Sequence, residues 1–447
     1  MDGKIGIIGT GYVGLVAGVC FAMKYPVVCV DVDSEKVDAI NDGIAPFYEP
    51  KLDELLQKVS ASGNISATTD IEQAVRECDY IFISVGTPSM HSGEIDLRYV
   101  KAVARDIGKS LRNMDKYIVI IQRSTVVPTT TRDMVGKIIA ENSGKTTGEH
   151  FGIAFVPEFL REGNAVDDFL EPDRIIIGTE DKKVEELLHK LYADFYSQFP
   201  EDKIISMSIE SAELVKYASN SFLAGKISFA NEIASLAELI PGVDIVDVMA
   251  GVGMDHRISE KYFGAGAGFG GSCFPKDIKA LIHFARTKAF EPIILEAILE
   301  RNNRQAMHIV DLIEDIVSSI HTARITILGL SFKPGTSDMR DAPSLKIISE
   351  LIERGAGEIV GYDPKANDEA RQILGNRIKY ADNVQDALRG ANIAVVLTEW
   401  DEFRKLTPAE FKKCMAESVL VDARRIYNYD EFSSQLKFYA VGRKHHN

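Results

Sequence analysis

The sequence predicts an α/β protein in which two doubly wound blocks are joined by a long central helix. Three observations carry this. Short apolar runs alternate with helical stretches over residues 4–178, the alternation resumes after Thr322, and between them Ile209 to Ile240 runs 32 residues without a proline. Strands that alternate with helices build a parallel sheet, because each crossover helix must cover one of its faces.

The first strand is expected at Lys4–Ile8, breaking at Gly9 and passing into a helix of small residues from Tyr12. A second strand, Val27–Val30, stops at Asp31. Further strands are expected at Tyr80–Val85, Tyr117–Ile121, Gly152–Val156 and Arg174–Gly178, with helices over 35–41, 50–59, 71–77 and 98–112. Ser208 is placed to cap the long run and Pro241-Gly242 to stop it. At about 1.5 Å per residue that helix would extend about 48 Å. Its Ala218, Ser221, Ala224, Gly225 and Ser228 permit close approach of another helix. In the second block strands are expected at Arg324–Gly329, Glu358–Tyr362, Ile393–Leu397 and Val419–Val421. The blocks echo each other: Ile71–Asp79 before one strand matches Val384–Asn392 before another, and Asp31 and Asp363 both end second strands. Either an internal repeat or shared α/β packing produces such an echo.

The 447 residues are 45% hydrophobic and 26% charged, which suffices for a large core without disulfides. Sixty-six acidic against 51 basic residues give a net charge of −15 and a pI near 5.2, which disfavours general attraction to nucleic acid or an anionic membrane. Five scattered cysteines, with no CxxC and no Cys/His cluster at zinc spacing, predict no metal site and a reducing compartment. No apolar run approaches the roughly 18 residues that span a bilayer. The expectation is a soluble cytoplasmic protein with no membrane partner.

Gly9-Thr10-Gly11-Tyr12-Val13-Gly14 follows a strand and opens a helix, so its backbone can turn tightly against a pyrophosphate at the helix N-terminus. Asp31 lies 20 residues past Gly11 at a strand end, where a carboxylate accepts from ribose hydroxyls and repels a 2′-phosphate. Together they predict NAD rather than NADP. Lys36 stands either near that cofactor or on a solvated helix face. Val85-Gly86-Thr87-Pro88 and Ser124-Thr125-Val126-Val127-Pro128 put hydroxyls and N–H groups at the carboxyl edge of the sheet, where open α/β folds bind ligands. Plain turn chemistry would also produce them.

In Phe269-Gly270-Gly271-Ser272-Cys273-Phe274-Pro275-Lys276-Asp277 one thiol sits among glycines, with a cation and a carboxylate just beyond. A thiolate of low pKa is a competent nucleophile toward an aldehyde. An inert buried thiol is the usual state of cysteine and suits Cys20, Cys29 and Cys78, but suits Cys273 poorly. Lys216 and Asn220 stand four apart on the long helix and can both donate to an oxyanion, although a solvated lysine explains the same spacing. Glu158 and Glu162 follow a strand, placed either for proton transfer and water positioning or as plain loop carboxylates.

The segments GTGYVG, STVVP, PEFLREG, ELVKYASN, GFGGSCFPKD and KPGTSDMRDAPS, in this order over nearly the whole chain, resemble the UDP-glucose/GDP-mannose dehydrogenase family. Ala267, Ala423 and Lys24-Tyr25-Pro26 depart from the family pattern without removing a reacting group. The resemblance implies that Cys273 is the nucleophile and that Lys216 and Asn220 stabilise developing negative charge. Asp277 would handle protons or orient water, and Thr125 and Glu158 would organise that water. It implies an NAD site from Gly9, Gly11, Tyr12, Val13, Gly14, Asp31, Lys36, Thr87, Thr125, Glu162 and Lys276, with Arg340 reaching in from the C-terminal block. Glu158, Phe159, Leu160, Lys216, Asn220, Tyr262, Phe263, Gly264, Gly270, Phe332, Lys333 and Arg424 would hold the nucleotide-sugar, and Arg257 would reach across a homodimer built around the central helix. The expected division is then an NAD-binding, Rossmann-like domain over 1–206, a dimerisation and cysteine domain over 207–320, and a nucleotide-sugar (UDP) binding, Rossmann-like domain over 321–447.

The implied reaction is a two-step, four-electron oxidation of the 6-hydroxyl of UDP-glucose to UDP-glucuronate through a thiohemiacetal and thioester on Cys273. GDP-mannose or another nucleotide-sugar is the alternative substrate. A one-hydride NAD hydroxyacid dehydrogenase and a non-catalytic NAD sensor are alternatives from other classes, and neither would use a reactive thiol. The base for the first oxidation stays open: Lys216 would need a depressed pKa, whereas Asp277 would act through water.

Overall fold

The computed structural model describes residues 3–444. The first sheet is built from β1 (Ile5–Ile8), β2 (Val27–Val30), β3 (Ile65–Thr68), β4 (Tyr80–Ile83), β5 (Ile118–Gln122), β6 (Phe151–Phe155), β7 (Ile175–Gly178) and β8 (Ile204–Met207). They lie in the order β3-β2-β1-β4-β5-β6-β7-β8, all parallel except β6 against β7. The second sheet is β9 (Arg324–Leu328), β10 (Glu358–Tyr362), β11 (Lys379–Tyr380), β12 (Ile393–Val396), β13 (Val419–Asp422) and β14 (Lys437–Ala440). Its order, β11-β10-β9-β12-β13-β14, is parallel throughout and is the doubly wound order of a dinucleotide-binding fold.

Alternate side chains of the central strands enter opposite layers. Ile5, Ile7, Val27, Phe82, Val119 and Ile121 pack in one core, whereas Ile8, Val28, Val30, Ile81, Ile83 and Ile120 pack in the other. Both layers are covered by helices, so the strands read as unbroken apolar runs. In the second unit Ile325, Ile327, Ile393 and Val395 face one core, and Leu328, Val360, Ala394 and Val396 the other.

Four strands escaped the sequence reading: β3, β8, β11 and β14. They are the four edges of the two sheets. Edge strands are short and face water on one side. Ser66, Thr68, Ser206 and Lys437 accordingly interrupt the apolar signal. The long helix spans Ile209–Ala237, 29 residues, and stops short of the expected Ile240. Leu239 and Ile240 instead form a tight turn through N–H bonds to Leu236 O (3.1 Å) and Ala237 O (3.0 Å). The ring of Pro241 disfavours helical geometry in the residue before it, and Gly242 follows at φ +82°. Ser208 caps the start, its hydroxyl accepting from Ser211 N–H at 3.2 Å.

The echo between the two blocks is structural. Gly9 and Gly329 turn the chain out of β1 and β9 at φ +96° and +97°, in the left-handed region where glycine is free of Cβ strain. Each donates to the end of its neighbouring strand, to Val30 O and Tyr362 O, at 2.8 Å. Asp31 accepts from the Thr10 N–H (2.8 Å) and hydroxyl (2.7 Å). Asp363 accepts from Leu330 N–H (2.8 Å) and from the Ser331 N–H and hydroxyl (2.9 and 2.8 Å). There the likeness ends. Asp363 is buried and also takes bonds from Trp400 Nε1, Lys365 N–H and Ala366 N–H, which uses up its acceptor capacity. Asp31 is only half-buried, and of the two equivalent carboxylates it is the one open to a ligand.

Contacts divide the chain into two compact units, one ending at Ser219 and the other beginning at Asn220, so the division falls within the long helix. Among the described residues no helix is long and apolar enough to cross a membrane.

Candidate active site

In the first unit the turn after β1 leads into the helix Tyr12–Phe21, whose N-cap, Gly11, brings no side chain to its free N–H groups. Half-burial opposes ionisation of Asp31, but the Thr10 bonds, Asp33 N–H at 3.1 Å and the field of Lys36 hold its pKa below the ordinary carboxylate range. Ser124 bonds Ile83 O through its N–H (3.0 Å) and hydroxyl (3.2 Å), which holds Thr125 at the carboxyl edge between β4 and β5. Thr87 is buried at the same edge.

Lys216 is not the solvated lysine that its spacing also allowed. It is 3% exposed, and its ammonium donates to Glu158 O (2.7 Å) and Glu158 Oε1 (2.8 Å). Burial alone would raise the Glu158 carboxyl; the Lys216 charge and the Leu160 N–H at 2.7 Å outweigh it and leave Glu158 below its usual range. Phe159 lies under Arg174, whose guanidinium is 4.0 Å from the ring centroid. Sequence reasoning missed Glu213, one turn before Lys216. It is fully buried, accepts from Thr129 N–H (2.7 Å) and Thr131 N–H (2.8 Å), and so fixes the end of the STVVP segment. Burial pushes its carboxyl up to about 7.

In the second unit Cys273 is the N-cap of the 14-residue helix Phe274–Thr287, with Pro275 in its first turn. The thiol is half-buried and lies 3.6 Å from the Ser272 hydroxyl. The N-terminal end of a helix dipole favours thiolate over thiol. By contrast, burial pushes Cys20, Cys29 and Cys78 up to about 12. Asp277 is buried one turn on; it accepts from Asn220 Nδ2 and from the Lys276 ammonium, both at 2.6 Å.

The glycine-rich segment before the cysteine is held by three buried amides that no motif had flagged. Asn231 Oδ1 accepts from Gly266 N–H (2.8 Å) and Gln305 Nε2 donates to Gly266 O (2.7 Å). Asn302 closes both sides of Phe269, at 2.8 and 2.9 Å. Side-chain amides thus supply the partners that a neighbouring strand would. The Phe332 ring packs so closely on Gly271 that a Cβ there would lie 2.8 Å from it, and Gly270 similarly admits the Asp341 backbone. Lys333 stands 5.5 Å from the Phe332 ring centroid. Arg424 donates to Leu397 O at 2.6 Å and, with Phe263 and Gly264, lines a cavity of about 300 Å³. Tyr262, at φ +66°, packs its ring on Phe274. Arg257 and Arg340 are exposed, and each engages the aspartate two residues before it, at 2.6 and 2.7 Å.

Comparison with known proteins decides what this arrangement belongs to. Profiles of the UDP-glucose/GDP-mannose dehydrogenase family match residues 3–196 (NAD binding domain), 210–304 (central domain) and 326–429 (UDP binding domain). The chain belongs to the UDP-glucose/GDP-mannose dehydrogenase family. It is 40% identical to the UDP-glucose 6-dehydrogenase TuaD of Bacillus subtilis over 98% of this chain and 93% of that protein. With AglM of Haloferax volcanii, another UDP-glucose 6-dehydrogenase, identity is 42% over 95% and 97%. A solved UDP-glucose dehydrogenase from Pyrobaculum islandicum superposes with a TM-score of 0.91 at 37% identity, covering 100% of this chain and 98% of that one.

As a member of this dehydrogenase family the chain is an NAD-dependent oxidoreductase. Its residues fit that cofactor. A Cβ on Gly14 would fall 1.8 Å from Gly9 O, so only glycine lets the helix start against the turn, while the space around Gly11 is open. The free N–H groups of that turn suit a pyrophosphate, and the half-buried, ionised Asp31 suits ribose hydroxyls.

Proposed function

We propose that the chain oxidises UDP-glucose to UDP-glucuronate, taking two hydrides from carbon 6, with Cys273 as the covalent nucleophile. The observation that carries the reading is the half-buried thiol at the N-terminus of Phe274–Thr287, in a chain whose relatives are UDP-glucose 6-dehydrogenases. Gly9, Gly11, Gly14 and Asp31 hold the NAD, assisted by Tyr12, Val13, Lys36, Thr87, Glu162, Lys276 and Arg340. When bound, NAD supplies the hydride acceptor for both oxidations. Phe332, Lys333 and Arg424, with residues 262–264 and Gly270, hold the nucleotide-sugar.

Loss of the first hydride and the hydroxyl proton leaves an aldehyde. The Cys273 thiolate adds to its carbon, and the oxyanion formed meets the Lys216 ammonium and the Asn220 amide, one helical turn apart. A well-aligned donor of this kind contributes about 3–4 kcal/mol. Asp277 orients Asn220 by accepting one of its two amide protons. Loss of the second hydride converts the thiohemiacetal to a thioester. Water, organised by Thr125 and Glu158, then cleaves it, which returns the thiolate and releases the carboxylate. The test is the count of NADH per sugar with UDP-glucose and GDP-mannose in parallel. Two NADH per UDP-glucose, with GDP-mannose turned over more slowly, is the expected result. One NADH per sugar would discard the two-step reading, and faster GDP-mannose turnover would discard the substrate.

The long helix supports a homodimer. Phe222, Phe229 and Leu236 recur every seven residues, two turns apart on one face, and are 71%, 51% and 52% exposed. Ile293 and Ile294, at the start of the helix Ile293–Ile316, are exposed as well. Apolar patches of this kind mark interfaces. Phe229→Glu is expected to shift sedimentation from dimer to monomer; a dimer that survives it would place the interface elsewhere. No disulfide joins the five cysteines, in keeping with a reducing, cytoplasmic setting.

A further inference from the structure

Glu49 belongs to none of the motifs above. It sits between the helices Ser34–Asn41 and Leu52–Ala61, and it is 3% exposed. A carboxylate buried to that degree is costly unless it is paired with a cation or saturated with donors. In Glu49 three neutral donors fill most of the roughly four acceptor sites of the carboxylate. Its Oε2 accepts from Gly163 N–H and its Oε1 from Ala165 N–H, both at 2.7 Å, and the Tyr12 hydroxyl donates to Oε2. Gly163 N–H also reaches the Tyr12 oxygen at 3.0 Å. The three groups therefore form one closed knot.

Each member of the knot leads somewhere. Tyr12 is the first residue of the helix that opens at the glycine turn, and its ring packs on Phe47 with centroids 5.5 Å apart. Burial first, and then the bond to Glu49, push the Tyr12 phenol well above its ordinary range, so it remains a donor. Gly163 and Ala165 end the segment that begins at Glu158, and Glu158 is locked to Lys216 at 2.8 Å. The intervening residues Phe159–Glu162 are thus anchored at both ends, by an ion pair at one and by Glu49 at the other. Glu162 lies close enough to act electrostatically on Tyr12.

We propose that Glu49 is a positioning residue of the dinucleotide site: it ties the Phe159–Gly163 segment to the tyrosine of the glycine turn, so that NAD meets a preformed wall and does not have to order one. Binding to a preformed site avoids the entropy of ordering it, and that difference is read in affinity. The proposal rests on residues 9–14 being the NAD turn.

The test uses the full chain and two variants. Glu49→Gln keeps the volume but offers one acceptor oxygen where three donors converge, and turns an amide N–H toward a backbone N–H. Tyr12→Phe removes one donor and leaves both backbone bonds. Calorimetry is expected to show NAD bound at least tenfold more weakly by Glu49→Gln, with a smaller loss in the same direction for Tyr12→Phe. The KM for NAD should rise more than kcat falls. Amide exchange at Gly163 and Ala165 should quicken in NAD-free Glu49→Gln and slow again when NAD is saturating. Affinity within twofold of the parent chain, or unchanged exchange at the two amides, overturns the role of Glu49, as does a lowered melting temperature with unaltered affinity. If Glu49→Gln fails to fold, the same readings on Tyr12→Phe decide. Failure of the parent chain itself to bind NAD overturns the assignment of residues 9–14 instead.

Discussion

Cys273→Ser is expected to lower conversion of UDP-glucose to its carboxylate by roughly 10³-fold or more, the scale on which enzymes lose rate when a nucleophile is removed. The serine hydroxyl is similar in size but has a far higher pKa, and the helix N-terminus that favours a thiolate falls well short of ionising it. NAD affinity should be retained, because the substitution leaves the glycine turn and Asp31 unchanged. Two measurements separate this outcome from general damage: calorimetric NAD binding, and mass spectrometry of the parent chain quenched during turnover. An adduct confined to the peptide bearing Cys273 is the expected result. Parent-like formation of product by the serine variant would end the covalent reading. Alkylation provides a check without substrate: Cys273 should react before Cys20, Cys29 and Cys78, whose thiols are buried and pushed up to about 12.

The second large effect is expected from Lys216→Ala, and it reaches stability as well as rate. Removing the ammonium strands the Glu158 carboxylate in a site where it is 6% exposed. Breaking a buried pair in this way costs about 3–5 kcal/mol. The pH dependence carries the signature. In the parent chain Glu158 has a folded pKa below its unfolded value. Its contribution to stability is therefore complete above the unfolded pKa, about 4.3, and is lost as pH falls through the folded value. Without Lys216, the largest opposing influence is gone, only the Leu160 N–H and the Arg123 charge still counter burial, and the folded pKa of Glu158 rises. The variant is then penalised above about pH 4.3 and recovers as the carboxyl protonates. The gap between parent and variant should accordingly be widest near neutrality and shrink toward pH 4 in denaturant titrations. Adding Glu158→Gln to Lys216→Ala should restore part of the stability, by removing the stranded charge, and none of the activity. Equal stability of Lys216→Ala and the parent chain at pH 7 would mean that the pair is not a buried one in solution.

Much of this chain is legible in its sequence because the informative signals are local. Gly9-Thr10-Gly11-Tyr12-Val13-Gly14 announces a strand, a turn and a helix within six residues, and the spacing to Asp31 follows from one helix and one strand. The central strands are readable because both of their faces are buried, whereas β3, β8, β11 and β14 are not, since water on one side admits serine, threonine and lysine. The residues that hold the site together were illegible for a related reason. Asn231, Asn302 and Gln305 look like ordinary helix residues, and only the approach of Gly266 and Phe269, more than 30 positions away, turns their amides into partners. Glu49 stands more than 110 residues from Gly163 and Ala165. Lys216 reads first as an ordinary solvated lysine on a helix face, and only the Glu158 carboxylate against it gives it another meaning.

The sequence by itself determined that there would be two doubly wound blocks, a long helix, a dinucleotide turn and one exceptional cysteine, since backbone sterics and hydrophobic period act over a few residues. The tertiary structure alone decided which polar side chains are buried and what each one touches. Asp31 and Asp363 occupy the same place in their blocks, yet Trp400 and the backbone of residues 365 and 366 close the second and leave the first open. A buried charge or amide has no fixed meaning until its partner is in place, and those partners come from distant parts of the chain.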